Sequence, residues 1–227
     1  MIENSEPKMK YFSIISSIFV AVLIISNTVA SKLFALGPFI WTGAIVVFPI
    51  SYIFGDILTE VYGYKRSRRV IWTGFGCLIF MALVYWIVGL FPPASVWNNQ
   101  EAYLAILGIT PRIVLASIVG YFAGEFSNSY VLSKLKIVTS GKHLWSRTIG
   151  STIVGEGVDT VLFASIAFGG LIPLSILGIA IISGYMFKVI YEIIATPVTY
   201  ALVRFLKRKE GIDVYDYGTN YNPFRLN

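Results

Sequence analysis

Residues 48–63 read FPISYIFGDILTEVYG, an apolar stretch that carries two carboxylates among its hydrophobic side chains. Side chains four residues apart share one slowly drifting face of a helix, and four stand at that spacing here: Phe48, Tyr52, Asp56 and Glu60. Most of the remaining side chains in the stretch are apolar. The stretch therefore predicts a membrane helix whose polar stripe turns toward the interior of a helix bundle.

The composition of the whole chain agrees with this prediction. Of its 227 residues, 56% are hydrophobic and 13% are charged, whereas soluble domains carry roughly 25% charged residues. The single Cys77 and the single His143 leave no disulfide framework and no histidine metal cluster, and no cofactor is expected. These features exclude a disordered chain, a secreted disulfide scaffold and an ordinary cytosolic enzyme.

Six apolar stretches are long enough to cross a hydrocarbon core about 30 Å thick: residues 11–36, 44–62, 70–91, 113–135, 148–168 and 174–205. Only helices and closed barrels satisfy their backbone groups in lipid, and the strict alternation of a barrel is absent. We therefore predict an all-α integral membrane protein, with one six-helix domain over residues 1–227 and a short tail at 206–227. Pro49 and Pro197 are expected to break or kink the second and sixth spans.

The basic residues predict the orientation. If there are six spans, 15 of the 18 Lys and Arg residues fall on one side of the membrane: Lys8, Lys10, Lys65, Arg66, Arg68, Arg69, Lys134, Lys136, Lys142, Arg147, Arg204, Lys207, Arg208, Lys209 and Arg225. The opposite loops, near Gly37-Pro38, Pro92-Pro93 and Gly169-Gly170, are almost free of them. The positive-inside rule then places both termini in the cytoplasm. The net charge of +6 is thus explained by the membrane, and no nucleic-acid partner is expected.

Seven ionisable side chains lie inside the predicted spans: Asp56, Glu60, Glu125, Glu156, Asp159, Lys188 and Glu192. Each costs at least about 2.5–3.5 kcal/mol at the bilayer centre, so such groups face a cavity or one another. Glu60, nearest a span end, is expected to reach cytoplasmic water. Lys188 and Glu192 stand at i,i+4 and could neutralise each other.

Small residues on two spans predict close helix packing. Ala116, Gly120 and Gly124 form a small-xxx-small ridge on the fourth span, and Ser151 and Gly155 form a shorter one on the fifth.

A short internal similarity suggests a 3+3 inverted repeat. Ser26-Asn27 followed by Ser31-Lys32-Leu33 is similar to Ser127-Asn128 followed by Ser133-Lys134-Leu135, in two spans that run in opposite directions. Inverted repeats place a binding site at their interface.

The chain resembles the queuosine-precursor transporters, within the vitamin uptake transporter family of integral membrane proteins. The similar stretches cover nearly the whole chain: Ser26-Asn27-Thr28, Phe48-Pro49, residues 56–63 (DILTEVYG), Gly124-Glu125, Ser151-Thr152, Gly155, Asp159-Thr160, Lys188, Tyr191-Glu192, Pro197, Tyr200, residues 214–217 (VYDY) and Asn222-Pro223-Phe224.

The resemblance implies uptake of 7-cyano-7-deazaguanine or 7-aminomethyl-7-deazaguanine across the inner membrane. A carboxylate can accept the paired ring N–H and amine of a guanine edge, and an aromatic ring can stack on the base. The substrate-binding candidates are Asn27, Phe48, Tyr52, Asp56, Glu125, Ser151, Thr152, Asp159 and Lys188. The candidates for coupling or for shaping the cavity are Glu60, Glu156 and Glu192.

Other interpretations stay open at this point. Asn27 could instead join helices by a hydrogen bond, and Phe48 and Tyr52 could serve packing. The chain could be the substrate-binding subunit of an importer energised by a separate ATPase module, since it contains no Gly-x-x-x-x-Gly-Lys-Ser/Thr motif. An intramembrane enzyme would need an aspartyl pair such as Asp56 and Asp159. The coupling ion and a homodimer are not decided by the sequence.

Overall fold

The apolar stretches form long helices in the computed structural model, which describes residues 9–36 and 39–225. Seven α-helices account for most of these residues: α1 Phe12–Val29, α2 Phe48–Tyr62, α3 Tyr64–Leu90, α4 Gln100–Leu107, α5 Thr110–Val138, α6 Leu144–Phe168 and α7 Leu174–Glu210. A two-stranded antiparallel hairpin, β1 Leu33–Leu36 and β2 Phe39–Thr42, leads through a 3₁₀ turn at Gly43–Val46 into α2. The predicted all-helical class is confirmed. Lys8, Gly37-Pro38 and residues 226–227 of the tail lie outside the described residues.

Within the described part of the chain, five helical segments are long and apolar enough to cross a membrane: Phe12–Val29, Tyr64–Leu90, Gln100–Val138, Leu144–Phe168 and Leu174–Glu210. The segment Gln100–Val138 combines α4 with α5. Helix α2 is not among the five, because its 15 residues reach only about 22 Å at 1.5 Å per residue. The predicted second span, residues 44–62, is therefore a short, largely buried helix.

Two sequence predictions near α2 are wrong. The helix predicted over residues 11–36 ends at Val29, because residues 33–36 pair with Phe39–Thr42 as a hairpin. Pro49 does not break α2 but lies in its first turn, where a missing backbone N–H costs no helical hydrogen bond. Pro197 does lie inside α7, which continues past it to Glu210.

Helices α5 and α6 form the most extensive helix pair and cross at glycines. A Cβ atom on Gly155 would lie 2.8 Å from the carbonyl oxygen of Gly124, and a Cβ on Gly124 would lie 2.8 Å from that of Gly155. The two backbones approach this closely only because neither residue has a side chain. Two glycines of the predicted small-residue ridges therefore meet at this crossing.

The segment after α7 folds back against the bundle. Gly211, with φ of +66°, ends α7 in the left-handed conformation that glycine adopts without strain. Asp216 accepts hydrogen bonds from the backbone N–H of Tyr64 at 3.0 Å and from the Ser133 hydroxyl at 2.8 Å. Arg68 donates to the carbonyl of Asn222 at 2.6 Å. The segment is thus fixed against the ends of α3 and α5.

Candidate functional site

A cavity of about 230 Å³ lies between α1, α6, α7 and the segment that leads into α2. This volume is below the 300–1,000 Å³ of most ligand pockets, so the cavity suits a small molecule. Its wall is mostly apolar. The polar and larger aromatic groups on it are Ser26, Asn27, Trp41, Thr42, Phe48, Ser117, Asp159, Thr160, Phe163, Phe168 and Lys188.

Lys188 bridges two carboxylates at the inner end of the cavity. Its Nζ lies 2.7 Å from Oδ2 of Asp159 and 2.8 Å from Oε2 of Glu156, and it donates to the Thr160 hydroxyl at 3.2 Å. The two carboxylates are three residues apart on α6 and so lie on one helix face. The same ammonium lies 4.6 Å from the ring centroid of Phe48, within the range of a cation–π interaction.

Two further residues that line the cavity each have one polar atom without a hydrogen-bond partner among the described residues. Asn27 donates from Nδ2 to the carbonyl of Leu23 at 3.0 Å, but its buried Oδ1 accepts no hydrogen bond. Trp41 stacks on Phe39 with ring centroids 5.7 Å apart, and its buried Nε1 donates none. An unpaired buried polar atom costs about 1–3 kcal/mol. Asn27 and Trp41 therefore each line the cavity and each carry a buried polar atom that is left unsatisfied.

The glycine crossing of α5 and α6 sets the position of Asp159. A Cβ atom on Gly120 would lie 2.9 Å from Oδ1 of Asp159, and one on Gly124 would lie 2.6 Å from the Asp159 Cβ. A larger residue at either position would push the Asp159 carboxylate away from Lys188. The small residues of α5 are therefore part of the site.

An aromatic layer separates the cavity from the deeper interior. Phe48, Tyr52 and Tyr121 pack edge to face, with ring centroids 5.5–5.6 Å apart. The buried Tyr52 hydroxyl makes no hydrogen bond within the described residues. The predicted stacking residue Phe48 thus belongs to this layer and also lines the cavity.

A second polar layer lies behind the aromatic one. The Asp56 carboxylate accepts a hydrogen bond from Nδ2 of Asn128 at 2.7 Å, and Glu125 accepts one from the Ser129 hydroxyl at 3.3 Å. Asp56 and Glu125 are fully buried, and Glu192 is 2% exposed. None of the three lines the cavity.

The alternative in which Lys188 and Glu192 neutralise each other is wrong. In the part of the chain that the structure describes, Lys188 forms ion pairs with Glu156 and Asp159 and not with Glu192. A neighbouring helix supplies both partners, because the Lys188 ammonium points toward α6 and away from the next turn of its own helix.

Glu60 lies at the opposite end of α2 in a cluster of basic residues. Arg147 binds both of its carboxylate oxygens, Lys207 lies 2.7 Å from Oε1, and Lys136 lies 3.6 Å from the same oxygen. The expectation that Glu60 reaches water is wrong: it is 1% exposed and binds cations from α5, α6 and α7. We call Glu60, Lys136, Arg147 and Lys207 the basic cluster.

Asp213 joins the basic cluster from the segment after α7. Its Oδ1 lies 2.6 Å from the Lys136 ammonium and 2.9 Å from that of Lys207. Partial burial opposes ionisation of Asp213, but hydrogen bonds from Lys136 and Lys207 outweigh it and hold the pKa of the carboxyl below its ordinary value.

The structure divides the sequence-predicted residues into three depths. Four of them line the cavity: Asn27, Phe48, Asp159 and Lys188. Glu156 contacts Lys188 from behind. The others lie deeper or in the basic cluster: Tyr52, Asp56, Glu60, Glu125, Ser151, Thr152 and Glu192.

The sequence predictions missed Trp41 and Ser117, which line the cavity, and the partners of Glu60. An aromatic residue at a span end is typical of the membrane interface, and this explains why Trp41 gives no distinct signal. Arg147 was assigned only to a basic loop. One signal could have found it: a buried carboxylate such as Glu60 requires a cation.

Comparison with known proteins gives the family. Residues 42–202 match the family described as "putative vitamin uptake transporter". A "probable queuosine precursor transporter" of Bacillus subtilis (strain 168) is 34% identical over 156 residues, which cover 68% of each chain. No solved structure matches the chain. The family match includes every predicted site residue except Asn27.

Proposed function

The chain belongs to the vitamin uptake transporter family, and from this membership we propose that it imports a 7-deazaguanine precursor of queuosine. The proposal rests on one feature of the site above all. The Lys188–Asp159 ion pair lies at the inner end of a small cavity, next to Phe48 and Asn27. A guanine-type base needs a paired acceptor, a donor and an aromatic surface, and these side chains supply all three.

Each side chain has a role in this proposal. Asp159 accepts the ring N–H and exocyclic amine of the base, since its Oδ2 alone is held by Lys188. The Lys188 ammonium donates to the ring carbonyl, and Phe48 stacks on the base. Asn27 and Trp41 meet the substituted edge, where the unpaired Asn27 Oδ1 accepts and the unpaired Trp41 N–H donates. The roles follow from donor and acceptor chemistry.

We propose an orientation from the position of the basic cluster. Arg147, Lys136 and Lys207 meet at Glu60, and the positive-inside rule assigns this end of the bundle to the cytoplasm. The cavity, bounded by the hairpin and by Phe168 and Ile172, then faces the outside of the inner membrane. In this proposal α2, with the turn before it, completes six crossings in a 3+3 repeat, and both termini are cytoplasmic.

Transport in this proposal requires the cytoplasmic end to open. The basic cluster and the segment after α7 close that end, because Lys136 also donates to the carbonyl of Val214 at 2.7 Å and Ser133 donates to Asp216 at 2.8 Å. Import then alternates between this closed cytoplasmic end and a state in which these contacts separate.

The test is uptake of radiolabelled 7-cyano-7-deazaguanine by cells that cannot synthesise it. Asp159→Asn and Lys188→Ala each remove a charge-assisted contact, so uptake should fall at least about tenfold. The matched controls change exposed residues, Glu101→Gln and Lys65→Ala, and should retain wild-type uptake. Membrane expression of every variant is measured in parallel. Unchanged uptake in both site variants would contradict the proposed site, and absence of wild-type uptake would contradict the substrate.

A further inference from the structure

The middle of the bundle contains more carboxylates than cations. Lys188 contacts Glu156 and Asp159. Asp56, Glu125 and Glu192 form no ion pair within residues 9–36 and 39–225, although each is at most 2% exposed. A buried carboxylate without a cation costs several kcal/mol, and such groups neutralise by taking up a proton. We call these three residues the unpaired carboxyls.

Asp56 is surrounded by other acidic groups. Asn128 on α5 donates to its Oδ1. The charged side chains that act most strongly on Asp56 are Glu192 on α7, Glu125 on α5 and Glu60 on its own helix. None of these carries a positive charge that could hold Asp56 ionised, and Glu60 is already bound by the basic cluster.

Glu125 and Glu192 have similar surroundings. Glu125 faces Tyr121 and Ser129 on its own helix and the carboxylates Glu156 and Asp159 on α6. Glu192 lies in range of Asp56 on α2 and Glu156 on α6. Like charges near one another each disfavour the ionised form of the other.

Orphaned oxygen atoms lie in the same layer. Oδ2 of Asp56, Oδ1 of Asn128, the hydroxyl oxygen of Thr152 and Oε1 of Glu192 are buried, with no hydrogen-bond partner among the described residues. Asp56 and Asn128 are fully buried. While the carboxyls are ionised, every one of these atoms except the Thr152 hydroxyl can only accept a hydrogen bond. The layer therefore has too few hydrogen-bond donors. A proton on a carboxyl supplies a donor without any other change.

The unpaired carboxyls lie between the cavity and the basic cluster. Asp56 follows Phe48 by eight residues and precedes Glu60 by four, which places it about 12 Å from the cavity end of α2 and about 6 Å from Glu60 along the axis. On α7, Glu192 lies one turn beyond Lys188 in the same direction. Carboxyls thus occur at successive depths from the cavity toward the proposed cytoplasmic end.

We propose that the unpaired carboxyls are the proton-binding groups that couple substrate uptake to proton movement. This inference rests on the proposed import function. In each transport cycle the layer takes up one proton from the outside, which converts a carboxylate to a neutral carboxylic acid and lowers the repulsion within the layer. After the bundle opens toward the cytoplasm, the proton leaves there and the carboxylate is restored. Protons move with the substrate, and no other reactant is consumed.

The experiment uses the purified full chain in liposomes that contain no other protein. Accumulation of radiolabelled 7-cyano-7-deazaguanine is measured with the outside more acidic, with a sodium gradient alone, and with neither, while potassium and valinomycin hold the membrane potential at zero. With one proton per substrate, the limiting accumulation should be about tenfold for each pH unit. A proton ionophore should abolish it, and a sodium gradient should not replace it.

Two variants separate coupling from binding. Glu192→Gln should lower the accumulation ratio toward one, while exchange of labelled for unlabelled substrate, which needs no net proton movement, should fall less. The exposed Glu101→Gln is the matched control and should leave both unchanged. Accumulation driven by sodium, or uptake indifferent to pH with exchange intact, overturns proton coupling and leaves the import function standing.

A second measurement does not depend on the substrate. Protonated carboxyls give an infrared carbonyl band that ionised carboxylates lack. The purified protein at neutral pH should show this band, and Asp56→Asn and Glu192→Gln should each reduce it. A wild-type spectrum without the band overturns the inference even if no transport substrate is found. Failure of both uptake and exchange with the band present contradicts the import function alone.

Discussion

Glu60 joins three helices at the end of α2 opposite Phe48. It binds cations from three helices while 1% exposed. Glu60→Gln would leave the buried Arg147 without its anionic partner, and loss of one partner of a buried pair costs about 3–5 kcal/mol. We expect a marked fall in the melting temperature of the detergent-purified protein, followed by tryptophan fluorescence.

The matched control for this prediction is Asp213→Asn. Asp213 contacts the same Lys136 and Lys207, but its side chain is 42% exposed, so water replaces much of what is lost. The pKa of Asp213 is held below its ordinary value, so the ionised carboxyl stabilises the folded state. This stabilisation is fully present above the ordinary pKa and is lost as the pH falls through the lowered pKa. Equal melting temperatures for the two variants would show that Glu60 has no special role.

At this scale the sequence identified the buried charges but not their partners. The spacing of Glu156 and Asp159, three residues apart, puts both on one face of α6, where both form an ion pair with Lys188. The i,i+4 spacing offered Glu192 as an equally good partner for Lys188. Whether Lys188 pairs with Glu192 or with the carboxylates of α6 depends on how α6 packs beside α7, and the local sequence spacing does not determine that packing.

The α5–α6 pair is the element whose packing sets the site. A Cβ on Gly155 would lie 2.6 Å from the Asn128 Cβ and 2.8 Å from the carbonyl oxygen of Gly124. Gly155→Ala should therefore separate α5 from α6, move Asp159 away from Lys188, and reduce both thermal stability and uptake. Melting temperature and transport of the purified variant are the measurements.

Gly178→Ala is the control on α7, because a Cβ there has nothing within 4 Å. Alanine favours a helix over glycine by about 1 kcal/mol, so this variant should be as stable as the wild type or slightly more so. A Gly155→Ala protein with wild-type stability and uptake would mean that the glycine crossing does not hold the site together.

Element boundaries were predictable where the apolar pattern is long. The fourth to sixth predicted spans correspond to α5, α6 and α7 with shifts of a few residues at their ends. The segment from Leu33 to Leu36 was assigned to a helix, because a four-residue apolar run has no period that separates strand from helix. Its pairing with Phe39–Thr42 supplies the Trp41 side chain to the cavity.

At the scale of the whole molecule, the distribution of charge in the sequence was the best guide to how the bundle is organised. Basic residues from distant parts of the sequence meet at one end of the bundle around Glu60, and the cavity lies toward the other end. The sequence predicted a polar interior but could not divide it into a cavity, an aromatic layer and a deeper carboxyl layer. That division arises from contacts among α2, α5, α6 and α7, which join residues far apart in the sequence, such as Phe48 and Lys188.

Direct binding of radiolabelled 7-cyano-7-deazaguanine to the purified protein tests the central claim, because it needs neither a gradient nor a cell. We expect saturable binding at one site, competition by unlabelled 7-aminomethyl-7-deazaguanine, and weaker competition by adenine. Lys188→Ala should weaken binding roughly tenfold or more, as loss of a charge-assisted hydrogen bond does, and Lys65→Ala should not change it. No saturable binding by the folded wild-type protein, or equal affinity in Lys188→Ala, would contradict the assignment of this cavity as the substrate site.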